Sequence, residues 1–148
     1  MRKSTPALLC IFIGATLSAL YGCKKGLSDN AGRDVLEGQW RFEKCVSTTY
    51  ANGSVYQSNT QTTGFPNLAL FASGAIQLGF EGYVPDTSTW SYSGRKFVLG
   101  QKGAWLLQVT QKPCLVIELT DHAFSFLDTV RFNLDPRQYT ETRLYFSR

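Results

Sequence analysis

Leu68-Ala69-Leu70-Phe71-Ala72-Ser73-Gly74-Ala75-Ile76-Gln77-Leu78 decides the fold. Two short apolar runs flank a Ser-Gly, and neither run holds a helical period. A two-residue loop would set Leu70 opposite Gln77. A three-residue loop over Ala72, Ser73 and Gly74, with Gly74 in the left-handed position, sets Leu70 opposite Ile76 and Leu68 opposite Leu78. Apolar then meets apolar on one face. A slip of one residue would turn every side chain to the other face, so this is the preferred register.

The same test extends in both directions. Asn52-Gly53 suits a two-residue type I′ turn and places Tyr50 opposite Val55. Gly94-Arg95 suits a type II′ turn, pairing Tyr92 with Phe97 and Trp90 with Leu99. A loop over Gln111-Lys112-Pro113 pairs Val109 with Leu115, Leu107 with Ile117 and Trp105 with Leu119. A turn at Asp121-His122 pairs Leu119 with Phe124 and Ile117 with Phe126. Turn signals recur from Leu36 onward, and no run keeps a helical period for three turns. Short strands so spaced predict an all-β, up-and-down antiparallel meander of about eight to ten strands, which closes into a barrel and so removes its edges. Its inner face is expected to carry Trp40, Phe42, Leu68, Leu70, Ile76, Leu78, Trp90, Tyr92, Phe97, Leu99, Trp105, Leu107, Leu115, Ile117, Leu119, Phe124, Phe126, Leu144 and Phe146. Val98, Leu106, Val116 and Leu127 fall on the outer face by alternation, where a cluster would form an interaction patch.

The composition fits one domain. The chain has 148 residues, 43% of them hydrophobic, 14% aromatic and 18% charged, too apolar for a disordered segment. Its 15 Lys and Arg outnumber 11 Asp and Glu. Two of the cations, Arg2 and Lys3, sit in a segment expected to be cleaved, which leaves a nearly balanced domain. A nucleic-acid binder would instead show a clustered basic stripe. Catalytic signals are sparse. The single histidine, His122, lies in a turn beside Asp121, which is poorly placed to orient it as a base. There is no Gly-x-Ser-x-Gly, no phosphate-cradling glycine loop and no His pair at zinc spacing. Glu118, Asp121 and Asp128 lie near one hairpin, but alternation sends Glu118 to the solvated face. No enzyme, no cofactor and no metal site is therefore expected.

The amino terminus reads as a leader. Arg2 and Lys3 precede a charge-free run from Ala7 to Leu20, shorter than the ~20 residues of a spanning helix and right for a signal sequence. Leu20-Tyr21-Gly22-Cys23 then resembles a bacterial lipoprotein box. That resemblance implies a signal peptide over residues 1–22 and a diacylated Cys23 as the mature amino terminus. Two acyl chains anchor a protein stably to a membrane without a spanning helix. Lys24 and Lys25 imply sorting to the outer membrane, facing the periplasm. Residues 23–35 are polar, with two glycines, and are expected to form a flexible tether before a domain over residues 36–148. Cys10 leaves with the leader, so Cys45 and Cys114 remain in an oxidising compartment, which invites a disulfide. Alternation points both outward, from strands that are not neighbours; a bulge near Lys44 would turn Cys45 over.

Gly38-Gln39-Trp40 at the start of the first strand resembles the opening motif of lipocalins and of lipocalin-like domains of bacterial envelope lipoproteins. Trp90-Ser91-Tyr92, Glu118-Leu119-Thr120-Asp121 and Glu141-Thr142-Arg143-Leu144-Tyr145-Phe146 are similar to the same group. The resemblance implies that Trp40 sits at the closed end of the barrel under an arginine of the last strand, Arg143 or, where alternation fails it, Arg148. It also implies a container. Trp40, Trp90, Tyr92, Phe97, Trp105, Phe124 and Phe126 would line a site for a small hydrophobic ligand or fill the core. A domain this short, with so many large side chains, is expected to be mostly filled. It would then act as an interaction or scaffold module for an envelope protein.

Overall fold

A computed structural model describes residues 29–132 and 135–148. The leader, the lipoprotein box and Cys23 lie outside the described residues. The chain forms α1 (Asp29–Leu36), β1 (Gly38–Ala51), β2 (Ser54–Gln61), β3 (Asn67–Leu70), β4 (Ala75–Gly79) and β5 (Asp86–Ser93). There follow β6 (Lys96–Leu99), α2 (Gln101–Leu106), β7 (Cys114–Leu119), β8 (Ala123–Phe132) and β9 (Asp135–Ser147). All strand pairs are antiparallel, in the order β2-β1-β3-β4-β5-β6-β7-β8-β9, and a β1–β9 pairing closes the ring. Eight strands make the barrel; β2 is an extra strand on β1.

Most expected registers hold. Leu70 pairs with Ile76 and Leu68 with Leu78, around a loop whose Gly74 has φ 84°. Tyr50 meets Val55 across Asn52 and Gly53, both left-handed at φ 53° and 79°. Trp90 pairs with Leu99, Tyr92 with Phe97 and Leu119 with Phe124. The Gly94-Arg95 turn differs in type: Arg95 is also left-handed, at φ 65°. Its guanidinium donates to the carbonyls of Val116 and Ile117, and its own carbonyl accepts from the Val116 amide at 2.8 Å. These bonds across to β7 offset the strain of a left-handed non-glycine.

Two bulges correct the expected faces. The first leaves Glu43 unpaired between Phe42–Phe146 and Lys44–Tyr145, so Cys45 turns inward. The second leaves Ile117 unpaired between Val116–Phe126 and Glu118–Ser125. Val116 and Cys114 therefore face the core, while Leu115 is exposed, the reverse of strict alternation. The expected strand over 105–109 is absent. In its place α2 and a loop lead into β7, so the pairings of Trp105 with Leu119, Leu107 with Ile117 and Val109 with Leu115 do not form.

Part of the expected tether is also ordered. Residues 29–36 form α1, which lies across the end of the barrel where β1 starts. Leu36 is fully buried, the Arg33 guanidinium lies 5.6 Å from the Trp90 ring, and it donates to the Ala72 carbonyl at 2.8 Å. Gly32 is buried against Tyr92 so tightly that a Cβ there would stand 2.7 Å from the ring.

β1 outlasts the barrel wall. Residues 38–40 pair with β3, and residues 45–51 pair with β2 on the same edge. Between β2 and β3 the chain buries Phe65 and Pro66, and Phe65 stacks on Phe42 at 4.9 Å. The distal halves of β1, β9 and β8, with β2, project as a four-stranded wing. Its rows run Asn59–Ser47–Thr142–Asp128 and Gln57–Thr49–Thr140–Val130 on the lumen side. Ser58–Thr48–Glu141–Thr129 forms a row on the other side.

Candidate functional site

The barrel interior is the first place a ligand would sit, and rings occupy it. Phe97, Phe124, Phe126 and Phe146 form a continuous cluster with centroids 5.2–6.0 Å apart. Trp40 joins it through Phe124 at 5.6 Å and Trp90 through Phe97 at 6.1 Å. All six are buried. Such tilted and offset geometries are the favourable ones for aromatic pairs, worth about 0.5–1.5 kcal/mol each beyond area burial. Both indole N–H groups are satisfied: Trp40 donates to Leu36 O at 2.7 Å and Trp90 to Phe71 O at 3.1 Å.

Of the seven aromatic residues singled out in the sequence, the structure brings Trp40, Trp90, Phe97, Phe124 and Phe126 into one core, with half-buried Tyr92 packed against it. Trp105 is the exception. It sits on α2 and is 75% exposed, because Ala104 and Leu107 take the inward positions of that turn. Leu115 and Ile117 likewise drop out of the expected interior.

The closed end is a clamp. Arg148 lies over the Trp40 ring, 4.1 Å from guanidinium carbon to centroid. It donates to the carbonyls of Val35, at 2.8 Å, and Glu37. Gly38, at φ 123°, has its Cβ direction only 3.1 Å from the same guanidinium. Arg143 instead points away from the core, toward the Tyr145 hydroxyl. The arginine over Trp40 is thus the alternative that the alternation pattern favoured.

Cys45 and Cys114 are both buried and both free thiols, so the disulfide that an oxidising compartment would invite, and that alternation opposed, is not made. Burial pushes the Cys45 thiol up; burial, then the nearby Asp128 carboxylate, pushes Cys114 up to about 12. Among the described residues Asp128 is the one buried carboxylate, and it has a set of polar partners. It accepts from the Thr110 amide at 2.8 Å and the Thr110 hydroxyl at 2.7 Å, tying the loop after α2 to β8. The pair is not legible in the sequence, where residues 105–109 read as a strand hairpinned onto β7 rather than as a helix and a loop. Glu118, Asp121 and His122 are exposed. Among the described residues no three His, Cys, Asp or Glu side chains converge as a metal site would need, and no helix is long and apolar enough to cross a membrane.

Open grooves lie outside the lumen. One, of about 770 Å³, runs over the outer face of β1, β3 and β4, floored by Ala69 and Gly79 and walled by Gln39, Gln77, Phe80 and Tyr83. Another, of about 640 Å³, is lined by Lys102, Trp105 and Gln111 beside α2. No protein-family model, curated protein or solved structure matches this chain.

Proposed function

We propose that this chain is a lipid-anchored lipoprotein of the bacterial cell envelope, held at Cys23 on the periplasmic face of the outer membrane. Its lipocalin-like barrel is non-catalytic and serves as an interaction module. The leader, with Leu20-Tyr21-Gly22-Cys23, supports the anchor, and the stacking of Arg148 on Trp40 supports the lipocalin-like assignment. The observation that carries the module over the carrier is the filled interior, where six large rings take the space a cargo would need.

A second reading, capture of a small hydrophobic ligand, is favoured by the groove beside Phe80 and Tyr83, whose 770 Å³ exceeds the roughly 300 Å³ of a drug-sized pocket. Titration of the purified, delipidated chain with a hydrophobic fluorescent probe separates the two. The module predicts no saturable binding. Stoichiometric binding with quenched Trp fluorescence would favour the carrier. For the anchor, Cys23→Ala should leave an unacylated precursor; normal processing and detergent partitioning of that variant would refute it.

A further inference from the structure

β2 has one bonded edge and one open edge. Ser54–Gln61 pairs with β1 and with no other strand among the described residues, and every residue in it is exposed. Open edges in native proteins are normally blunted by lysine, proline, an inward charge or a bulge, because the free N–H and C=O groups template a further strand. β2 carries no charge and no proline, and its bulge is confined to one end. No charged side chain occurs anywhere between Lys44 and Glu81. A bulge at Tyr56, between the Thr49–Gln57 and Tyr50–Val55 pairs, leaves Gln57–Gln61 as the straight run.

That run is Gln57-Ser58-Asn59-Thr60-Gln61, and it has the symmetry of its own antiparallel copy. Centred on Asn59, self-pairing sets Gln57 against Gln61, Ser58 against Thr60 and Asn59 against Asn59. Amides meet amides on one face, and hydroxyls meet hydroxyls on the other. Such cross-strand pairs are favourable, and stacked Asn and Gln reinforce one another. A two-fold axis also sets any charge that lies close to it beside its own copy, so a short uncharged edge self-pairs without that repulsion.

We infer that two copies of this chain pair through β2, antiparallel about a two-fold axis at Asn59, joining two four-stranded wings into one continuous sheet. A five-residue seam falls short of the roughly 1,000 Å² of a stable interface. The pairing therefore depends on concentration at a membrane surface, and in that respect it rests on the lipid anchor proposed above. The chain's own mature amino-terminal residues are poor competitors for the edge: few precede α1, which packs at the opposite end of the barrel from the wing.

Cysteine cross-linking in membranes carrying the full chain tests this. Asn59→Cys should form a disulfide-linked dimer at least about tenfold faster than Val84→Cys, since paired strands hold symmetry-related thiols within reach. Val84 is the control because it is 92% exposed and remote from β2 in sequence. Adding Thr60→Lys to Asn59→Cys should abolish the gain. Co-expressed Gln57→Cys and Gln61→Cys chains should link to each other in preference to themselves. Equal rates for Asn59→Cys and Val84→Cys, persistence of the dimer with Thr60→Lys, or a link only to a different polypeptide would each overturn the pairing. None of those results bears on the probe titration or on processing at Cys23, so the two proposals fail separately.

Discussion

Trp40 shows what a single position does when several constraints meet on it. Its ring is buried against Phe124, its indole N–H is spent on Leu36 O, and its other face is covered by Arg148. Trp40→Ala should cost about 3–5 kcal/mol of stability in denaturant titration, the range for a large buried aromatic. Gly38→Ala should also destabilise, because an alanine is strained at φ 123° and its methyl would press on Arg148. A wild-type melting temperature for Gly38→Ala would show that the clamp tolerates slack.

The thiols are legible in a different way. Cysteine content showed that two would remain. A bulge near Lys44 was readable as the alternative that turns Cys45 inward, because strict alternation would drive Lys44 into the core between Phe42 and Val46, but the bulge at Ile117 that fixes β7's faces has no sequence signature. With its folded-state value raised to about 12 from an ordinary value near 9, Cys114 keeps its proton in the folded chain over a range where the unfolded chain loses it. The folded state then binds more protons. Its contribution to stability is complete below about pH 9 and is lost as pH rises toward about 12. Chemical denaturation across that window should show declining stability, less steep in Cys114→Ala. Alkylation at pH 8 should label Cys114 only after denaturant is added.

At the scale of elements, hairpins with apolar pairs flanking Gly-containing turns were readable because turn chemistry and side-chain alternation agree there. α2 was not. Its six residues lack a side-chain cap, and Trp105, Leu107 and Val109 alternate like a strand. What decides the matter is tertiary: Ala104 and Leu107 pack into the core, and Asp128 reaches over from β8 to hold Thr110. Asp128→Ala should cost about 1–3 kcal/mol, since it strands the Thr110 amide and hydroxyl. It should also raise amide exchange around 107–113 more than in β3 or β4. α1 was hidden for a similar reason. A polar, glycine-containing stretch looks like a linker until Gly32 meets Tyr92. Gly32→Leu should therefore loosen α1 while leaving the sheet intact, seen as faster exchange over residues 29–36 alone.

For the molecule as a whole, closure and filling go together. Eight short strands make a narrow barrel, and bulky rings from β1, β5, β6, β8 and β9 meet at its centre. Phe126→Ala should remove about 3–5 kcal/mol and leave a dry hollow, able to take a small apolar probe that the parent chain rejects. The meander and the filled interior were legible from alternation and side-chain volume. The wing was not, because nothing in an alternating strand says where its neighbour will leave it.

The seam between β1 and β9 also sets an order of events during synthesis. Phe42 and Phe146 are partners from opposite ends of the described chain. A polypeptide emerging amino end first can assemble its hairpins one by one, yet Phe42, though Phe65 can already stack on it, has no strand partner until β9 arrives. Until then the sheet is a strip with bare margins and an oily side, the kind of intermediate that aggregates unless escorted. Completion is consequently a late, all-at-once step, and any handling of the nascent chain must hold it open until that last strand is released.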